Sequence, residues 1–229
     1  MNILALDTSM GACSAAVLCA SDGTRTLHAR QVEMRRGHAE ALMPMVQAVI
    51  AEAGIEPRDF DVIAATVGPG SFTGVRIAIA AARGLALVTR AKLFGTDSLA
   101  VMACAALMDG AAPKGPFAVA ADARRGMLYF GLYDEDGATL DGPLLIAPHD
   151  AVSILPDGLR LALGSGAQIM AEAAAGQNRK IEPARTTLQP NALALAEIVL
   201  ETGETTANLR PLYLRPPDAK PQVTAIGRR

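Results

Sequence analysis

A chain of 229 residues that is 51% hydrophobic and 19% charged can bury a sizeable core, as one large or two small domains, and reads as an ordinary soluble globular protein. A net charge of -2 and a pI near 5.9 argue against a broad phosphate-gripping surface, and 3% aromatics without tryptophan leave base-stacking platforms poorly supplied. Cys13, Cys19 and Cys104 form no CxxC pair and no even framework, which fits free thiols in a reducing cytosol.

The apolar run from Met1 to Asp7 has no basic leader, and Arg76 and Arg83 interrupt the longest hydrophobic stretch, so neither secretion nor a membrane span is expected. Asn2 to Leu18 predicts two short strands around a turn at Thr8 to Gly11. Thr24 to Val32 predicts a third strand, completing an antiparallel meander. A helix follows Gly37. Leu42, Val46, Val49 and Ala53 share one face of it, Met43, Met45 and Ile50 widen the apolar stripe, and Gly54 is placed to stop it. Pro44 either starts the regular helix or kinks it. The Met-rich face reads as core filler or as an adaptable partner surface.

Val62 to Leu87 organises the chain. Val62 to Val67 predicts a strand buried on both faces, Gly68-Pro69-Gly70 a turn, and the residues to about Thr89 a helix capped by Ser71 or Thr73. Gly74, Ala78, Ala82 and Ala86 recur every four residues as a smooth row, while Arg76, Arg83 and Arg90 follow one edge. A helix apolar on so many sides is either a buried core helix or one that offers its small-residue row to a second helix or protein.

Lys92 to Phe94 predicts a short strand, and Asp97 or Ser98 caps a helix to Met108. The segment Asp109 to Pro116 is the expected boundary between an N-terminal unit, 1–108, and a C-terminal unit, 109–229. Phe117 to Asp134 again reads as strand, turn, strand, with Asp122 and Gly126 at the same offset of four as Asp7 and Gly11. Two copies of one unit, each backed by helices, make a duplicated α/β architecture. A helix near Asp150 to Leu155, a strand at Arg160 to Leu163, a helix opened by Gly164 to Ala167, and a last helix at Asn191 to Thr202 complete the pattern. The proline-rich end from Pro211 predicts a mobile tail or a docking strap.

Gly68, Gly70 and Gly74 are spaced GxGxxxG, one residue too long for a dinucleotide fingerprint. Val75 stands where a phosphate loop needs lysine, and Ser71 is not in GxSxG. Asp7 with Thr8, Ser9 and Gly11, and Asp122 with Gly126, have the form of the two phosphate-facing turns of duplicated ATP-binding folds, in which a strand-end carboxylate holds hydrated magnesium. One glycine per turn is a thin phosphate cradle. Arg124 and Arg125 either meet an anion or are simply solvated. The glycines of Gly164-Ser165-Gly166 either approach an adenosine or cap a helix. His28, His38 and His149 are isolated, and Leu42 rather than a second histidine follows His38 by four residues, so no metal site is expected.

At Gly68 to Ala86 (GPGSFTGVRIAIAAARGLA), Leu4 to Ser9 (LALDTS), Arg36 to Pro44 (RGHAEALMP) and Pro211 to Pro216 (PLYLRP), the sequence resembles the bacterial TsaB (YeaZ) family over nearly its whole length. The resemblance implies a duplicated actin-like ATPase fold and a cytoplasmic, non-catalytic dimerisation subunit. It serves the machinery that places threonylcarbamoyl on the adenosine next to the tRNA anticodon. It further implies that the helices at about His38 to Ala53 and Thr73 to Thr89 bundle with those of a catalytic TsaD-like paralogue. The partner-facing residues would be His38, Leu42, Met45, Val46, Val49, Gly74, Ala78, Ala82, Arg76 and Arg83. An ATP-hydrolysing TsaE-like subunit would dock near the junction, tRNA would be reached through the complex, and the chain would form a homodimer when alone. The paralogue holds its metal through a histidine pair on the first of these helices, a pair that Leu42 interrupts here. No tightly bound cofactor is implied, with ATP or ADP at subunit junctions. The enzyme-class alternative is a magnesium-dependent ATPase or small-molecule kinase of the same fold, built on Asp7 and Asp122.

Overall fold

The computed structural model describes residues 1–21, 23–110 and 115–215. The chain opens with β1 (Asn2–Asp7), β2 (Ala12–Ser21) and β3 (Thr24–Glu33), paired antiparallel in sequence order as the meander predicts. Then come α1 (His38–Ala53), β4 (Val62–Thr66), α2 (Phe72–Thr89), β5 (Lys92–Thr96) and α3 (Ser98–Met108). β4 and β5 add in parallel beyond β1, so the first sheet runs β3-β2-β1-β4-β5.

The second half repeats this plan with β6 (Phe117–Asp122), β7 (Leu128–Tyr133), β8 (Thr139–Ile146), α4 (Pro148–Ser153), β9 (Leu161–Leu163), α5 (Ala167–Ala175), β10 (Glu182–Ala184) and α6 (Ala192–Thr202). Its sheet runs β10-β9-β6-β7-β8, with the same parallel and antiparallel neighbours. Strand for strand and helix for helix this is a duplicated, actin-like α/β architecture, and the faint repeat at Asp7 and Asp122 marks equivalent ends of β1 and β6.

Alternation along β1 shows why its apolar run is continuous. Leu4 and Leu6 face the layer of α1 and α2, while Ile3 and Ala5 face α3 and α6. α6 packs on β1, β2 and β4 of the first sheet, and α3 lies between it and β6 and β7 of the second. These two helices therefore form the shared layer between the halves.

Local rules account for the ends of the elements. Ser71 Oγ accepts the Gly74 N–H at 2.9 Å and caps α2, Asp97 caps α3 through the Leu99 and Ala100 amides, and Gly54 closes α1 in the left-handed region. Pro44 lies inside α1 rather than at its start. α2 is long and apolar enough to cross a membrane by length and composition, yet Gly74, Val75, Ala78, Ile79, Ala82 and Ala86 are buried in this fold.

Two strands escape the sequence reading. β8 contains Gly142-Pro143, which reads as a turn; it is an edge strand paired with β7 alone and with a shifted register, where a missing N–H is tolerated. β10 has only three residues, one of them Pro183, and no pattern that short carries a signal. The segment Asp109 to Pro116 falls partly, and the end of the chain beyond Arg215 wholly, outside the described residues.

Candidate functional site

A cleft of about 1360 Å³ is lined by both halves. The start of α1 with Arg35 and Arg36, the start of α2, the turn after β6 with Asp122 and Arg124, Ser165, Gln189 and the segment Leu212 to Arg215 all contribute to its walls.

The first predicted phosphate-facing turn is not available to a ligand. Asp7, Thr8 and Ser9 are fully buried, because the start of α2 lies directly on them. The Ser71 N–H donates to the Ser9 carbonyl at 2.8 Å, and the Thr8 hydroxyl donates to the Gly74 carbonyl at 2.6 Å. A Cβ on Gly70 would sit 2.2 Å from the Ser9 carbonyl oxygen, and one on Gly74 would sit 2.0 Å from that of Thr8. The glycines of GPGSFTG thus admit backbone, not phosphate.

Asp7 Oδ1 accepts the Ser9 hydroxyl, the Ser9 N–H and the Thr66 hydroxyl, while Oδ2 is buried without a partner. Burial outweighs those hydrogen bonds and pushes the carboxyl up to about 6. The expectation that Asp7, Thr8 and Ser9 face nucleotide is therefore corrected: they form an internal polar knot. Gly11 alone of this group is exposed, and its N–H donates to Gln189 Oε1 at 2.8 Å.

The second turn does line the cleft. Asp122 accepts from the Arg124 N–H at 2.8 Å and from its guanidinium at 3.1 Å, and the Asp122 N–H donates to Ser165 Oγ at 3.1 Å. Arg124, Arg125 and Gly126 follow one another in the left-handed region, giving a tight turn. Gly164 and Gly166 approach the backbone of Ala120, where a Cβ would meet its carbonyl oxygen at 2.5 Å and its carbonyl carbon at 3.1 Å respectively, so their role is packing. Among the described residues no group of three or more His, Cys, Asp or Glu side chains gathers.

The residues expected to face a partner divide differently from the sequence reading. Leu42, Met45, Val46 and Val49 of α1, and Gly74, Ala78 and Ala82 of α2, are packed in the core under the first sheet. The small-residue row is the side of α2 that lets the helix close on its own sheet. A charge at Gly74 or Ala78 would therefore disrupt the fold before any pairing. The outward side carries Ala80, Gly84, Leu87 and Val88, with Leu87 84% and Val88 82% exposed, while Ile77 and Ala81 are half-buried against the core. Met43 of α1 is also exposed. His38 opens α1 at the cleft, half-buried, with Nε2 buried and unpartnered.

Arg76 and Arg83 turn to the chain's own C-terminal segment. Arg83 donates to the Leu209 carbonyl, and Arg76 Nε donates to the Tyr213 hydroxyl at 2.6 Å. The Leu212 N–H donates to the Val67 carbonyl at 2.7 Å, and Tyr213 stacks on Phe72. The described part of the proline-rich end is thus a docked strap, and Phe72, Tyr213 and Arg215 are cleft residues the sequence reading did not single out. Their signals were the PLYLRP stretch for Tyr213 and Arg215 and the GPGSFTG stretch for Phe72.

Residues 31–213 match the family model described as "TsaD: tRNA N6-adenosine threonylcarbamoyltransferase". The tRNA threonylcarbamoyladenosine biosynthesis protein TsaB of Escherichia coli is 39% identical over 136 residues, an alignment covering 59% of this chain and 56% of that protein. The chain thus spans little more than half the length of that relative. An uncharacterized Mycobacterium tuberculosis protein is 32% identical over 96% of this chain and 94% of its own. The structure of YeaZ from Pseudomonas aeruginosa superposes with a TM-score of 0.77 at 31% identity, covering 93% of this chain and 99% of that one. With its architecture and its sequence both matched at near full length, the chain belongs to the TsaB (YeaZ) family.

Proposed function

We propose that this chain is a cytoplasmic, non-catalytic scaffold in the formation of threonylcarbamoyladenosine in tRNA. It docks a catalytic paralogue of the same fold, which transfers threonylcarbamoyl from its adenylate to the adenosine next to the anticodon. An ATP-hydrolysing third subunit joins near the junction, with ATP or ADP held at subunit contacts. A division into units 1–108 and 109–229 accompanies this reading, the first unit carrying the docking helices.

The observation that carries the reading is the outer side of α2. Leu87 and Val88 stand almost wholly in solvent, with the exposed Ala80 and Gly84 on the same side of the helix and the half-buried Ile77 and Ala81 at its margin against the core. Apolar residues gathered on one exposed helix side mark a surface that a partner covers. The chemistry of the carboxylates agrees. Asp7 is enclosed, so it does not offer magnesium the free strand-end carboxylate that the ATPase alternative requires, and Asp122 at the cleft is paired with Arg124.

Light-scattering mass after size exclusion tests it, for the chain alone and mixed with the catalytic paralogue of the same cell. A homodimer that converts to a one-to-one complex is expected. An unchanged mass in the mixture, with ATP and the third subunit added, would return the chain to the nucleotide-enzyme class.

A further inference from the structure

α2 carries Arg76 and Arg83, is capped by Arg90 and followed by Lys92, and from Phe72 to Thr89 contains no Asp or Glu. The three arginines recur every seven residues, two turns apart, so they form one row along the helix. That row borders the exposed side of Ala80, Gly84, Leu87 and Val88, while Ile77 and Ala81 close the opposite margin against the core. An apolar surface and a basic edge thus share one face.

What these arginines touch within the chain is uncharged. Arg76 donates to the Tyr213 hydroxyl and Arg83 to the Leu209 carbonyl, so both are held in place and neither is neutralised. Elsewhere Arg25, Arg30, Arg124 and Arg185 each meet a carboxylate of the chain, whereas among the described residues Arg76, Arg83, Arg90 and Lys92 form no ion pair. A groove of about 620 Å³ continues the same face at the end of the helix, lined by Arg83, Ala86, Leu87, Lys92, Leu93 and Thr206. The Thr206 N–H closes its wall by donating to the Leu93 carbonyl at 2.6 Å. Two cations and a hydroxyl beside apolar side chains suit a carboxylate carried on an apolar helix.

We propose that the helix which covers α2 carries an acidic row, with carboxylates opposite Arg83 and Arg90 and one entering the groove beside Lys92. This row also decides between partners. A second copy of the chain offers a basic edge and no acid on α2, and an antiparallel pair about a twofold axis lays that edge on its own equivalent. Like charges then face each other, whereas an acidic helix turns the same edge into attraction. The apolar side allows both pairings, and the arginine row favours the second. That the acidic helix belongs to the catalytic paralogue rests on the function proposed above.

Sedimentation equilibrium of the full chain, alone and mixed with the paralogue of the same cell, tests this at about 0.05 M and about 0.5 M sodium chloride, which bracket weak and strong screening. The two associations should respond with opposite sign. Raising the salt should weaken the mixed complex at least tenfold, and should leave self-association unchanged or tighten it. This comparison needs no variant. At the lower salt R90E/K92E should weaken the mixed complex at least tenfold without weakening self-association, while R90K/K92R, which keeps both charges, should pair like the parent. All four substitutions are at exposed positions, and thermal melts within about 2 °C of the parent will show that the variants fold. The same salt response in both associations, or R90E/K92E joining the paralogue like the parent, would overturn the proposal. A stable mixed complex indifferent to salt would refute the acidic row and leave the scaffold standing, and no mixed complex at either salt would refute both.

Discussion

The carbonyl oxygen of Thr8 occupies the space in which any side chain at position 74 would begin, 2.0 Å from where a Cβ on Gly74 would stand. The neighbour is backbone, at the fully buried start of the turn between β1 and β2, and cannot swing away. Gly74→Ala should therefore cost about 3 kcal/mol and lower the melting temperature by roughly 10 °C. Gly84, ten residues on along the same helix, has nothing within 4 Å of its would-be Cβ. Gly84→Ala should stabilise by about 0.5–1 kcal/mol, because it only restricts the unfolded chain. Paired calorimetric scans check both, and equal effects at the two sites would refute the close-approach explanation of the motif.

Asp7 makes stability depend on pH in a direction opposite to that of most carboxylates. Burial raises its folded-state value from 3.8 to about 6, so the fold holds the proton more tightly than the unfolded chain does. Below about pH 4 both states are protonated and the group costs nothing. Between there and about 6 only the unfolded chain releases its proton, so stability from this group falls as pH rises and stays low above that window. The loss is on the order of 2–3 kcal/mol. Urea midpoints of Asp7→Asn relative to the parent should rise across pH 4 to 6 and then level; a flat difference would show that the carboxyl titrates normally.

Tyr213 fastens the strap to α2 by stacking on Phe72 and by accepting from Arg76. Tyr213→Ala should release the segment locally while leaving the two sheets intact. Contacts of this kind at partly exposed sites contribute about 1 kcal/mol. The Leu212 amide, which donates to Val67, should then exchange with deuterium about fivefold faster, with amides of β1 unchanged. No change at Leu212 would place the hold of the strap elsewhere, at Leu209.

Leu87 and Val88 point away from the core, so changing them should separate pairing from folding. L87E/V88E should shift the melting temperature by no more than about 2 °C, since surface substitutions away from special features stay within about 0.5 kcal/mol. The same variant should run as a monomer by light scattering and fail to join the catalytic paralogue. A dimer that persists would move the docking surface to the exposed side of α1, around Met43.

Periodicity along the chain was enough to place most elements. The meander β1 to β3, the buried strand β4, the caps at Ser71 and Asp97 and the stop at Gly54 all follow from residues within a few positions of one another. β8 and β10 were not legible, because Gly142-Pro143 interrupts β8 and β10 is three residues long with Pro183 among them, so neither carries a strand pattern of its own. The repeat from Asp7 to Asp122 was visible as spacing, whereas the opposite fates of the two carboxylates were not. One is sealed beneath α2 and the other stands at a cleft, and that depends on how each half closes on its own helix.

The amino-acid sequence by itself determined the duplicated α/β plan, the family and the extents of α1 and α2, since these rest on local patterns and on motifs read in order. Tertiary structure alone decided which side of α2 faces out. A helix apolar nearly all round holds no preference in its own pattern, and its orientation was set by the small-residue row, with Gly70 and Gly74 letting its start settle within contact of Ser9 and Thr8. It also decided that rings and arginines from five separate stretches share one cleft, a proximity that arises from the meeting of two folded halves and not from spacing along the chain.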